Sequence, residues 1–304
     1  MIRLPTLKQL RHFAALADTR NFGRAAAASN VTQSTLSASI QELEAILDAP
    51  LVDRTKRKVV FTPLGERVLA RARALLADAE ELAREAQAAR APLTGELRLG
   101  VIPTVSPFLL PRVLPRLRRA YPKLKLFLIE DQTARLIAKL GDGALDCALI
   151  ALPYAAANIE SRSLGEDRFR LVVPKGHALA KSKTVKPAAA RAETLLLLED
   201  GHCLKDHALS ACGLSAPRAR DAFGATSLFT LVQMVDNGLG VTLLPDLAID
   251  AGLLKGTALA AVPVDGAPSR ELALVWRKGT ARAPEFRLLA DALAPDSRIA
   301  PARV

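Results

Sequence analysis

The residues best equipped for chemistry lie in one stretch, Leu195–Cys212, LLLLEDGHCLKDHALSAC. Four leucines read as a short strand buried on both faces. The chain then breaks at Gly201 and presents Cys203 between His202 and Lys205, with Asp206 and His207 following and Cys212 nine positions on. A thiol beside a histidine and a lysine, just past a strand end, is expected to have a lowered pKa and to react as a thiolate. On a helix, a nine-residue offset would separate the two cysteines by roughly 13 Å along the axis. A disulfide needs Cα atoms within about 7 Å. The two can bond only if the segment between them is irregular or comes apart, which is the outline of a switch. His202, Cys203, His207 and Cys212 are also zinc ligand types, but their spacing is not that of a CxxC pair. No metal or cofactor is expected. Cys147, in LDCALIAL, reads as a buried small hydrophobe.

The elements that must position these residues are legible in outline. Among the 304 residues, three are cysteines, which suits a reducing compartment better than a stapled secreted domain. No segment approaches a membrane span and Met1–Leu10 has no apolar run after its charges, so a cytoplasmic protein is expected. A net charge of +11 favours a polyanionic partner without proving one.

Apolar residues recur at helical spacing from Leu7 to Ala17, a short alanine-rich helix follows at Phe22–Ala28, and a third is expected from Val31 to Leu47 with Thr32 as its cap. Two short helices in succession match a helix-turn-helix, whose second helix enters the major groove. Thr32, Gln33, Ser34, Thr35 and Ser37 supply small polar side chains for base edges and phosphates. Arg54, Lys56, Arg57 and Lys58 form a basic turn suited to phosphate neutralisation, and through residue 65 nine basic side chains face five acidic ones. Double-stranded DNA is therefore the expected partner. Pro63 starts a long helix to about Ala91, whose Val68, Ala72, Leu75, Ala79, Leu82, Ala86 and Ala89 follow heptad spacing and suggest pairing with a second copy. Beyond the hinge at Ala91–Gly95, strands and helices alternate, which implies βαβ units and a parallel sheet.

The motifs LKQLRHFAALADTRNFGRAA, VTQSTLSASIQELE and LVDRTKRKVVFTPLG resemble the LysR-type transcriptional regulators. The resemblance covers nearly the whole chain. It implies an α/β protein: a winged helix-turn-helix (1–62), a linker and dimerisation helix (63–91), and a two-lobed regulatory domain like the periplasmic binding proteins (92–304). One lobe is expected at about 95–166 and 268–304, the other at about 167–267. The chain departs from the family in three places. Ser34 replaces a usual proline, Gln41 and Glu42 stand where basic residues are common, and the turn Asp48–Ala49–Pro50 replaces a glycine.

Within the family, Ile102–Thr104, Glu130–Thr133, Leu198–Asp206 with Cys212, and Ala225–Leu228 through Pro245 resemble its peroxide-sensing members. That resemblance makes Cys203 the peroxidatic thiol and Cys212 the resolving one, with hydrogen peroxide as effector and a sulfenic acid as the intermediate. It gives Thr104, Thr133, His202, Asp206 and Arg270 roles in holding peroxide or stabilising the thiolate. Thr104 and Thr133 can equally be helix caps, and His202 can equally be a backbone hydrogen-bonder. His207 stands where the family tends to carry glutamine. The implied assembly is a homodimer or homotetramer that activates transcription through RNA polymerase and is reset by a cellular dithiol reductant. The competing expectation is a regulator that senses a metabolite by the same two lobes, without redox switching.

Overall fold

The computed structural model describes residues 3–54, 59–88, 92–199, 203–211, 213, 224–266 and 268–294. The chain divides into two compact units, the first built on residues 1–90 and the second on 91–140 and 145–304.

Helices α1 (Leu7–Thr19), α2 (Phe22–Ala28) and α3 (Gln33–Leu47) open the first unit, and each begins at a polar cap. Thr6 and Gln9 form a reciprocal capping box on α1, Asn21 accepts from the Arg24 N–H on α2, and Thr32 accepts from the Thr35 N–H on α3. The expected cap at Thr32 is thus present, with the helix beginning two residues later than its periodicity suggested. Phe13, Leu16, Leu36, Ile40 and Leu43 are fully buried where the three helices meet, and Phe13 packs on Phe61 with ring centroids 5.1 Å apart. Leu47, expected on the same face, is 37% exposed because the helix ends there. Asp48 takes the left-handed conformation, φ 49°, that glycine usually supplies at a helix end.

Strands β1 (Val52–Arg54) and β2 (Val59–Phe61) pair antiparallel. Glu44 of α3 accepts from the Leu51 and Val52 N–H groups at 2.8 and 3.0 Å, fixing the strand pair to the third helix. Helix α4 (Pro63–Ala88) follows. Its first half packs Leu69 and Ala72 into the core of the unit, whereas Leu75 and Leu82 are 54% and 70% exposed.

The second unit starts with β3 (Gly95–Val101), α5 (Ser106–Ala120), β4 (Leu124–Glu130), α6 (Thr133–Gly141) and β5 (Cys147–Leu152). Strand β3 lies between β4 and β5 and pairs parallel with both, as βαβ units require. Beyond β5 the remaining strands of this sheet depart from the parallel expectation. Strand β6 (Ile159–Pro174) and β11 (Ser269–Arg277) pair antiparallel, β11 pairs antiparallel with β5, and β9 (Thr242–Pro245) and β10 (Leu259–Pro263) pair antiparallel with β6. The sheet is mixed, in the order β10-β6-β11-β5-β3-β4.

Strand β6 is also ten residues longer at its start than the apolar run Phe169–Val173 suggests. Its first half is polar and pairs with β11, and its second half is apolar and pairs with β9 and β10. One strand therefore passes from one lobe into the other. Around it lie α7 (Pro187–Ala192), β7 (Leu197–Leu198), α8 (Cys203–Ala211), β8 (Gly224–Ala225), α9 (Leu228–Asp236), α10 (Asp246–Asp250) and α11 (Ala283–Leu293).

The four leucines do not form the doubly buried strand expected of them. Only Leu197–Leu198 pair, parallel with β8, and Leu195 makes a single bridge to Val241. Leu196 and Leu198 point into the core while Leu195 and Leu197 are half-buried, the two-residue alternation of an extended segment with one face toward the core.

Gly65 sits where α4 crosses Leu51, and a Cβ there would lie 2.1 Å from the Leu51 carbonyl oxygen. Backbone cannot swing aside as a side chain can. Gly65→Ala should therefore destabilise the first unit by about 1–3 kcal/mol; thermal unfolding followed by far-ultraviolet circular dichroism checks it, and an unchanged midpoint would refute the contact.

Candidate functional site

The parallel strands β3, β4 and β5 end side by side, and their carboxyl ends carry Thr104, Thr133 and Pro153. This is where α/β sheets bind ligands. An open cleft of about 790 Å³ lies there, lined by Thr133 and Ala134 from α6, by Pro153 and Tyr154, by Cys203, Asp206, His207 and Ser210 from α8, and by Asp265, Gly266, Pro268 and Ser269 near the start of β11.

Helix α8 supplies its four cleft residues at offsets of three, four and seven, so that they form one face. Leu204, Ala208 and Leu209 are buried against the core and hold that face outward. Cys203 is the first residue of the helix, half-buried with a free thiol. Cys147, the other free thiol among the described residues, is wholly buried on β5, and burial pushes its pKa well above the usual thiol value. Cys147 is thereby chemically inert, as a core residue should be.

Behind the cleft, Arg270 is buried with 1% of its surface exposed. Its Nε and Nη2 donate to the Asp167 carboxylate at 3.0 and 2.8 Å. Its Nη1 donates to Thr104 Oγ1 at 2.8 Å and its Nη2 to the Thr104 carbonyl at 3.2 Å. Asp167, itself 4% exposed, also accepts from the Leu247 N–H at 2.9 Å. The guanidinium is thus held by Asp167 and Thr104. With its oxygen accepting from Arg270, the Thr104 hydroxyl has its own hydrogen to direct elsewhere.

Thr133 is buried (2% exposed), and its hydroxyl has no hydrogen-bond partner among the described residues. Asp131 steadies this corner. Burial raises its pKa, but hydrogen bonds from Lys139, Arg135 and the Gln132 N–H outweigh that and hold it at about 2. His207 has its pKa lowered, first by burial and then by the positive charge of Arg270, against the opposing effects of a hydrogen bond to the Pro153 carbonyl and of Asp206.

Of the site residues named from sequence, Cys203, Thr133 and Asp206 line one cleft, and Thr104 and Arg270 meet behind it. His202 and Cys212 lie outside the described residues. Asp167 gave no signal in the sequence: it stands 103 positions from Arg270, and nothing local marks it as a partner. His207 had one, its four-residue offset from Cys203, once the helix is known to begin at the cysteine itself. At the amino-terminal end of α3, Gln33, Ser34 and Thr35 are exposed beside the capping Thr32, and Ser37 is half-buried. Lys56, Arg57 and Lys58 and the side chain of Arg54 lie outside the described residues. No helix among the described residues is long and apolar enough to cross a membrane.

The sequence pattern of the LysR substrate binding domain matches residues 90–297, and that of the bacterial regulatory helix-turn-helix protein, lysR family, matches residues 7–66. A probable hydrogen peroxide-inducible genes activator of Streptomyces viridosporus is 44% identical over 306 residues, covering 99% of this chain and 97% of that protein. The HTH-type transcriptional regulator EstR of Acinetobacter baylyi is 42% identical over 296 residues, covering 96% and 97%. Among solved structures, a full-length OxyR variant from Pseudomonas aeruginosa matches with a TM-score of 0.81 at 33% identity, over 98% of each chain.

Breaking the buried pair should be costly. Asp167→Asn keeps an oxygen for the Leu247 N–H but leaves the Arg270 charge uncompensated, and should destabilise the second unit by about 3–5 kcal/mol. Trp276, the single tryptophan, is buried on the same strand as Arg270, so its fluorescence during denaturant unfolding reads this loss directly. A midpoint like that of the wild type would mean that the pair contributes nothing.

Proposed function

Because this chain belongs to the LysR family of bacterial transcriptional regulators, we propose that it is the family's peroxide-sensing kind, an OxyR-like factor switched by a disulfide between Cys203 and Cys212. The observation that carries the reading is the placement of a free cysteine at the first turn of a helix, opening on a cleft whose buried Thr133 hydroxyl has no partner among the described residues. A helix amino terminus favours negative charge, here that of a thiolate.

The Cys203 thiolate attacks one peroxide oxygen. The O–O bond breaks, Cys203 becomes a sulfenic acid, and the second oxygen leaves as hydroxide and takes up a proton to become water. The Cys212 thiol then displaces that hydroxyl as a second water and closes the disulfide. Thr133 and Thr104 orient the peroxide, the latter held by Arg270, and Asp206 serves in the proton relay. His202 borders the thiolate.

Helix α8 resists the second step. Its eight-residue rise from Cys203 to Ala211 is about 12 Å, and the next Cα is only about 3.8 Å further along the chain. Even turned straight back, residue 212 stays about 8 Å from Cys203, beyond the reach of a disulfide. Oxidation must therefore unwind α8, and that refolding is the signal passed to the DNA-reading end and RNA polymerase, with reduction by a cellular dithiol as the reset. Leu75 and Leu82, exposed on α4, suit a second copy of the chain.

A second reading, a metabolite sensor, draws on the cleft volume, which is that of a small-molecule site and far larger than a peroxide. Free-thiol counting separates the two. Stoichiometric peroxide should consume two of the three thiols in the wild type and leave a trappable sulfenate in Cys212→Ser. A Cys203 that stays reduced while DNA binding answers to a metabolite would establish the second reading instead.

For the DNA interface, Arg54→Ala with Lys56→Ala should weaken binding across all sequences and lower the slope of affinity against salt by about two. Gln33→Ala should cost about 1–3 kcal/mol and relax the preference at one base pair. Binding isotherms at several salt concentrations on matched and mismatched duplexes check both.

A further inference from the structure

Two polar atoms in the cleft are buried and lack a hydrogen-bond partner among the described residues, Thr133 Oγ1 and His207 Nδ1. They belong to residues on different elements, α6 and α8, that line the same cleft as Cys203. The peroxide reading absorbs the threonine. It leaves the histidine without a task.

His207 stands one turn along α8 from Cys203, so ring and thiol share a face. The ring donates to the Pro153 carbonyl. With Nδ1 unpartnered, that bond belongs to the Nε2 hydrogen, and in the neutral ring Nδ1 then carries the lone pair. A buried acceptor with nothing to accept from is unfavourable, so the arrangement is complete only when a donor arrives from outside. Hydrogen peroxide brings O–H donors on both oxygens.

We propose that His207 Nδ1 accepts a hydrogen bond from the O–H of a hydroperoxide and so holds it beside Cys203, which makes peroxide capture in this chain depend on an unprotonated imidazole. The inference rests on the peroxide-sensing reading above. Arg270 from β11 and Asp206 from α8 act on the ring electrostatically, and Cys203 from α8, Thr133 from α6 and Asp265 from the turn before β11 line the same cleft. Burial first, and then Arg270, keep the ring neutral at neutral pH, so the acceptor is present there. It is lost as pH falls through the lowered pKa, when Nδ1 becomes a donor and a second positive charge appears near Arg270. Glutamine at the same position would offer an acceptor at every pH.

The test compares the full-length reduced protein with His207→Leu and His207→Gln, measuring two rates for Cys203. One is sulfenate formation with hydrogen peroxide, and the other is alkylation by iodoacetamide, which needs no peroxide site. The expected result is a roughly 10- to 100-fold loss of the peroxide rate in His207→Leu, with alkylation within about twofold of wild type and the peroxide rate largely restored in His207→Gln. As the pH is lowered from about 8 through the lowered pKa of the ring, the wild-type peroxide rate should fall relative to that of His207→Gln. An undiminished peroxide rate in His207→Leu would overturn the inference and leave the peroxide reading intact. Equal losses in both rates, failure of glutamine to rescue, or a flat pH ratio would likewise overturn it. A wild-type Cys203 that does not react with peroxide would overturn the functional reading and the inference with it.

Discussion

The structure around the cleft depends on one buried ion pair. Arg270 and Asp167 stand opposite each other in the register of β11 and β6, and neither can remain charged out of water without the other. Their remaining hydrogen-bonding capacity ties in two more elements. Arg270 holds Thr104 at the end of β3, and Asp167 holds the Leu247 N–H at the start of α10. Four segments far apart in the chain are thereby fixed at one point, the floor on which the cleft rests. The charge is expensive to bury, and that expense is what makes the geometry single-valued: moving any one of the four segments strands a donor or the carboxylate.

Above this floor the anchoring is much thinner. Helix α8 follows a strand of two residues, β7, whose partner β8 is equally short. Its core contacts are those of Leu204, Ala208 and Leu209, set opposite the polar face that holds Cys203, Asp206, His207 and Ser210. A helix of nine residues is marginal without tertiary support. The Cys203 thiol is thus carried by an element with few anchoring contacts, mounted over one with many.

What the sequence disclosed follows from which interactions are local. Helix caps are contacts across three residues, and Thr32 with its neighbours announced α3 in advance. Residue types alone drew attention to Cys203, which lines the cleft. The long strand β6 stayed hidden because its first half, from Ile159 to Arg168, is polar and bends at a bulge opposite Leu272–Ala273, with Gly165 at φ +124°, so no apolar alternation betrays it. The antiparallel strands of the mixed sheet escaped for the same reason: βαβ alternation predicts neighbours in sequence, whereas β11 reaches β5 and β6 across more than a hundred residues. The Arg270–Asp167 pair is wholly a product of that register. It could be found only after the strands were paired.

The passage of β6 through both lobes bears on how motion can travel. Lobes joined by separate crossing segments can swing like a clamshell, because each segment bends alone. Here the crossing strand is laced to β11 on one side of Arg168 and to β9 and β10 on the other. Flexing it at the crossing would disturb ladders in both lobes together. The crossing is braced on both sides, so one continuous strand rather than a free hinge couples the two lobes.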